Sequence, residues 1–367
     1  MHAATVELST RERIEGRVAR LLSGLPGSWL LKVIGERPEV VDGQTLDAHL
    51  QFILAARRLK RQRLLCEPTP EAGRSRFRRE VQAVTTGSAS RPTRVKSVRT
   101  LTVPGADGPL DARLYTPLTA TGDAPQPLLV FLHGGGFVIG DLDTHDEPCR
   151  LLCHHGGMQI LSVAYRLALE HAFPAGLEDV IAATRWAQCN AHALGAAASQ
   201  VCVGGDSAGA TLATVAALIL AREGAAPFAQ LLIYPATDVQ SATPSRTALF
   251  PNGYVLSSRD IDAFRRHYLS DDVSRFSDPR ASPLLTPDLT PAAPAVIVTA
   301  GFDPLRDEGE AYADALQDAG VPVRRKRFTG MVHGFLHMTT VAPGARAAMV
   351  ETARMFRTHV DAQGRGR

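Results

Sequence analysis

Only Gly204, Gly205, Asp206 and Ser207 separate two apolar runs of different period: 201–203 reads as a buried strand and 208–221 as a helix. A strand that becomes a helix within five residues must bend sharply. Gly205 and Gly209 carry no side chains to collide with the flanking elements. The bend projects Ser207 at the edge of a sheet, and the helix behind it points its positive end at any negative charge that develops there. A small-residue turn packed only for space would use the same glycines. The strand before and the helix after favour a presented nucleophile.

The same alternation runs through the chain from about residue 95. Apolar strands are expected at 112–117, 127–136, 158–165, 200–205, 230–235, 295–301 and 321–328. Helices are expected at 146–155, 175–194, 208–222, 308–319 and 344–360. Continuous apolar strands between amphipathic helices predict an α/β fold with a mainly parallel central sheet covered on both faces. Residues 238–290 break the alternation with proline-rich loops and one helix, 260–269. With N-terminal helices over 9–23 and within 45–65, this insertion is expected to form a cap. Residues 67–92, punctuated by Pro68, Pro70, Gly73, Gly87 and Pro92, read as connecting chain.

Charge narrows the function classes. The net charge is only +3, yet residues 55–99 hold thirteen Arg or Lys against three Glu. No aromatic interleaving accompanies that block, so a solvated helix face and linker is expected, and nucleic acid is not expected as a partner. The basic block and Trp29 could suggest a membrane surface, but no strongly amphipathic helix joins basic and bulky aromatic faces. No apolar run reaches spanning length, and the N-terminus mixes charges of both signs before a short broken apolar stretch, so a cytoplasmic protein without stable membrane insertion is expected. Five cysteines without paired spacing read as reduced thiols. Cys149, Cys153 and His154 lie close in sequence, but no second ligand cluster supports a metal, and neither metal nor cofactor is expected.

A nucleophilic serine needs an oxyanion site, a base and an orienting acid. His133-Gly134-Gly135-Gly136 follows an apolar strand, and its bare amides can approach a ligand oxygen. Gly135 and Gly136, with Ala208, are the expected donors, while His133 braces the loop. Asp238 and Asp303 both follow strand ends. Asp303 is preferred, because Pro304 stiffens its turn while Asp238 opens the cap insertion, where a turn role suffices. His333 lies in a loop just beyond the last strand, in the chain order Ser, Asp, His, and His337 is expected to pack nearby. Phe137 and Asp206, beside these motifs, are expected to contact substrate.

Together, HGGG at 133–136, GDSAG at 205–209, DPLRDE at 303–308 and HGF at 333–335 make the chain resemble the hormone-sensitive-lipase-like family of α/β-hydrolases, the bacterial family IV esterases. The resemblance spans roughly 95–360. It implies Ser207 as nucleophile, His333 as base, Asp303 as acid, and oxyanion donors at Gly135, Gly136 and Ala208. It also implies a division into cap helices and linker over 1–92 and a catalytic domain over 93–367, with the cap insertion at about 238–290. The implied activity is hydrolysis of short- to medium-chain carboxylic esters. Leu169 departs from the pattern, standing where the family usually carries proline. An amidase or deacetylase on the same fold, or a non-catalytic binding protein, would share much of this pattern. Retention of His333 speaks against the binding protein. A monomer or homodimer is expected; Arg324, Arg325, Lys326 and Arg327 on the last strand discourage edge pairing, while related proteins often dimerise there.

Overall fold

The structure, a computed structural model, describes residues 8–58, 64–85, 92–119 and 125–365. A two-stranded ribbon, β1 (Val40–Val41) and β2 (Gln44–Thr45), precedes the main sheet. Eight strands form that sheet: β3 (Ser97–Gly105), β4 (Gly108–Thr116), β5 (Gln126–Leu132), β6 (Gln159–Val163), β7 (Ala196–Asp206), β8 (Gln230–Ile233), β9 (Ala295–Phe302) and β10 (Val323–Val332). Their order is β10-β9-β8-β7-β5-β6-β4-β3, parallel throughout except where β4 pairs antiparallel with both β6 and β3.

The central strands are apolar on both faces because helices cover both. Leu128, Val130 and Leu132 of β5 enter one core and Leu129 and Phe131 the other, as the two-residue period of a strand requires. On the first side lie α6 (Ala175–Cys189), α7 (Ala208–Arg222) and α9 (Arg306–Asp318), which contribute Val180, Ala213 and Tyr312. On the second lie α5 (Asp146–Gly156) and α10 (Pro343–Arg365), with Leu151 and Met349. Each predicted strand and helix of this layer is present, with ends displaced by a few residues. The hairpin strand β3 went unread, since its edge position leaves most of its side chains exposed and its apolar alternation weak.

Four helices precede the sheet: α1 (Thr10–Ser23), α2 (Gly27–Ile34), α3 (Ala48–Arg58) and α4 (Pro70–Thr85). The helix expected within 45–65 is α3; residues 59–63 of that expectation lie outside the described residues. The reading of 67–92 as connecting chain is corrected by α4. Pro70 occupies the first helical position, where a missing N–H breaks no bond. Gly73 is needed for contact, since a Cβ there would come within 2.7 Å of Leu65 O.

The basic block is corrected as well: much of it is spent on internal clamps. Arg74 donates from Nε to Val138 O (2.7 Å) and from Nη2 to Ala168 O (2.6 Å), and pairs with Glu170. Arg78 pairs with Asp141 at 2.6 Å, and Arg76 donates to the carbonyls of Leu64, Leu65 and Glu67. These bonds fasten α4 over the loop that follows β5. The insertion between β8 and β9 carries α8 (Ser258–Leu269), started by a capping box of Ser257 and Asp260. Asp260 Oδ1 also accepts the Leu65 N–H at 2.8 Å, so the insertion and the N-terminal segment are joined.

Candidate active site

Three parallel strands deliver three side chains to one point. Ser207 follows β7, Asp303 follows β9 and His333 follows β10. His333 Nε2 lies 3.0 Å from Ser207 Oγ, and His333 Nδ1 lies 2.7 Å from Asp303 Oδ2. Asp303 is wholly buried, and its Oδ1 accepts the Leu305 N–H at 2.8 Å, which fixes the carboxylate's plane. Asp238, the rejected alternative, instead accepts the Gln240 N–H at 2.9 Å and caps its own turn.

The bend at Ser207 is as tight as the glycines imply. Ser207 sits at φ 50° and ψ −122°, a region that costs a non-glycine residue about 1–3 kcal/mol. Surroundings hold it there: its N–H donates to Ile233 O at 2.9 Å, and it is the N-cap of fifteen-residue α7. A Cβ at either Gly205 or Gly209 would overlap Leu132 O, so backbone there packs directly on backbone.

The glycine loop after β5 approaches the same point. Gly135 and Gly136 have φ of 119° and 60°, and a Cβ at Gly135 would overlap Ile139 O. Ala208 opens α7, so its N–H has no intrahelical acceptor. Gly135, Gly136, Ala208, Ser207 and His333 all line one cavity of about 190 Å³. Its roof comes from two separate stretches, including Phe77 and Val81 of α4 and Leu256 and Phe264 of the insertion. Phe137 also lines it, stacked on Tyr268 with centroids 3.8 Å apart and planes within 7°.

Asp206 stands at the edge of the same cavity. Its Oδ1 accepts the Gly134 N–H at 2.8 Å and lies 3.1 Å from Nε2 of fully buried His145. These contacts tie its carboxylate to the glycine loop. His133 acts as a brace, stacked on Tyr165 with centroids 4.5 Å apart and Nδ1 2.9 Å from Gly134 O. Burial, with His145 beside it, pushes the His133 pKa down to about 4, which keeps the ring neutral near neutrality.

His145 and His337 were not singled out as parts of this brace; their rings meet edge to face at 4.6 Å. Their only sequence signal is spacing from the motifs. Ligand atoms of His145, Asp206 and His337 lie within 4.8 Å of one another, the one such grouping among the described residues. Because Asp206 already accepts the Gly134 amide and faces His145, the group reads as a hydrogen-bonded strut. Cys149, Cys153 and His154 form no comparable grouping. Both thiols are buried and held protonated by that burial, while His154 Nδ1 meets Arg94 O at 2.7 Å.

Glu308 is buried completely behind the site, with Oε1 accepting the Thr237 N–H at 2.8 Å. Burial pushes its pKa up to about 7, against the opposing effect of that bond and of Arg246. Between the unfolded value of 4.5 and about 7 the native state holds a proton that the unfolded chain releases. Its contribution to stability is therefore full below about 4.5 and is lost as pH rises through about 7. Glu308→Gln should flatten this part of the profile. In urea titrations at mildly acidic and mildly alkaline pH, the variant is expected to show a smaller loss of midpoint on the alkaline side; an unchanged loss would mean that Glu308 titrates normally.

A serine on a strand-to-helix bend, a histidine and an aspartate on later strand ends and a glycine loop beside them define an α/β hydrolase, and the chain belongs to that family. Residues 129–337 match the family described as alpha/beta hydrolase fold. Among characterised relatives, the carboxylic ester hydrolase LipN of Mycobacterium tuberculosis is 41% identical over 360 residues, 95% of this chain and 93% of the relative. The ethyl acetate hydrolase of Pseudomonas putida is 35% identical over 86% of this chain and 98% of its own. The crystal structure of an alpha/beta hydrolase enzyme from the metagenome of Lake Arreo, Spain, is 39% identical, with a TM-score of 0.78 over 84% of this chain and 96% of the other. Among the described residues, no helix is long and apolar enough to cross a membrane.

Proposed function

We propose that this protein is a serine carboxylesterase of the hormone-sensitive-lipase-like group, hydrolysing short- to medium-chain carboxylic esters through an acyl-enzyme on Ser207. The observation that carries the reading is the unbroken chain Ser207 Oγ, His333, Asp303, with links of 3.0 and 2.7 Å. His333 Nε2 takes the Oγ proton as Ser207 attacks the ester carbonyl, and Asp303 holds the ring and stabilises the imidazolium. The N–H groups of Gly135, Gly136 and Ala208 hold the oxyanion, helped by the positive end of α7. His333 then protonates the departing alcohol, and water repeats the attack on the acyl-enzyme.

A cavity of about 190 Å³, below the roughly 300–1,000 Å³ of sites for larger ligands, supports a short or medium acyl group. The five free cysteines fit a reducing, cytoplasmic setting. A monomer or homodimer acting on a small-molecule ester, with neither nucleic acid nor membrane insertion, belongs to the same proposal.

The test is a series of p-nitrophenyl esters from acetate to laurate, run beside matched p-nitroanilides. Turnover is expected to peak in the short to medium range, fall toward laurate, and exceed that of the anilides by at least about a hundredfold. Faster anilide cleavage would assign an amidase, and an inert protein would remove the hydrolase reading.

A further inference from the structure

One wall of the cavity carries charges that the ester chemistry above does not use. Arg246 lies in the helical turn Ser245–Leu249 and Arg265 in α8; both line the cavity. Arg246 is only 5% exposed, yet its Nη1 has no hydrogen-bond partner among the described residues. Its Nη2 reaches Asp262 Oδ1 at a long 3.4 Å, and Arg265 claims the same oxygen at 3.2 Å. Two guanidiniums therefore share one half-exposed carboxylate.

Of the remaining acids on this wall, Glu308 feels the charge of Arg246 but makes no hydrogen bond to it, and its burial favours the uncharged form. Asp238 spends an oxygen on the Gln240 N–H, and Glu308 is buried with Oε2 unpartnered. A buried cation with an unmet donor is costly to hold unless something completes it. An anionic group entering the cavity would do so. Arginine fits that part, since its planar fork matches a carboxylate and its charge cannot be lost by titration.

We propose that Arg246 is a specificity-determining residue and that it takes a carboxylate carried by the ester substrate, so that the preferred substrates are esters bearing an acid group, such as half-esters of dicarboxylic acids. This rests on the carboxylesterase reading and deepens it. The carboxylate can sit on the acyl or on the alcohol side of the scissile bond.

Two substrate pairs distinguish these sides: mono-p-nitrophenyl glutarate against p-nitrophenyl valerate, and 4-butyryloxybenzoate against phenyl butyrate. For each pair, the ratio of kcat/KM, charged over neutral, is measured for wild type, Arg246→Met and Arg246→Lys. In at least one pair the ratio is expected to fall about tenfold or more in Arg246→Met, through KM more than kcat, and to recover in part in Arg246→Lys. The pair that responds reports the side. A ratio unchanged in both pairs, even with both rates lowered together, would make Arg246 structural and overturn the proposal. Failure of wild type on all four esters, charged and neutral alike, would instead remove the esterase reading on which it rests.

Discussion

Ser207→Ala is expected to lower kcat/KM for p-nitrophenyl butyrate by about 10⁴- to 10⁶-fold while leaving the urea midpoint close to wild type. The rate falls because the proposed mechanism runs through Ser207 Oγ, 3.0 Å from His333 Nε2. Stability holds because the variant gives up the Oγ–His333 hydrogen bond alone, while the strained backbone stays fixed by the Ser207 N–H to Ile233 O bond and by Gly205 and Gly209 against Leu132. The variant should also resist covalent labelling by a phosphonate ester, which wild type takes up once per chain. Retention of more than about one part in a hundred of the activity, in a preparation free of wild type, would place the nucleophile elsewhere.

Gly135→Ala is the second large effect, and it acts without removing any reacting group. At φ 119° an L side chain is strained, and the new Cβ would overlap the Ile139 carbonyl, whose own residue donates its N–H back to Gly135 O at 2.9 Å. The turn cannot yield at one end without shifting the other. On the proposed mechanism the N–H groups of Gly135 and Gly136 then lose their aim, and losing one oxyanion donor lowers kcat by about 10²- to 10³-fold. KM should move far less, because the roof of the cavity is untouched. Stopped-flow acylation and circular dichroism together check this: slow acylation in a folded protein is the expected result, and wild-type acylation would assign the oxyanion donors to other amides.

The sequence was most readable where one residue type had one physical reason to be present. Glycines at 205 and 209, with an apolar strand before and helix after, leave few alternatives to a projected serine. Asp303 and His333 followed from strand ends and chain order. For Asp206 the sequence does not show its partners, since Gly134 and His145 lie more than sixty positions away. Helix α4 was obscured because Pro70 and Gly73 look like punctuation, although Pro70 only starts the helix and Gly73 only makes room for Leu65. Its arginines look solvated in sequence because their partners, Val138 O, Ala168 O and Asp141, lie more than sixty positions away. The Arg246 wall had no local signal at all, since its neighbours arrive from the insertion and from α9.

The roof over Ser207 is drawn from two stretches separated in sequence by six of the sheet's eight strands, and Ser207, Asp303 and His333 come from neither. Reaction and selection are thereby written in separate parts of the chain. Exchanging the N-terminal helices together with the 236–265 stretch between relatives would transplant a preference for substrates as a matched pair of parts. Exchanging the insertion alone would put at risk the Asp260 carboxylate that holds the Leu65 N–H and joins the two. The two halves of the roof are thus heritable as a unit although they are far apart in sequence, so new tastes can arise in this scaffold while its chemistry stays fixed.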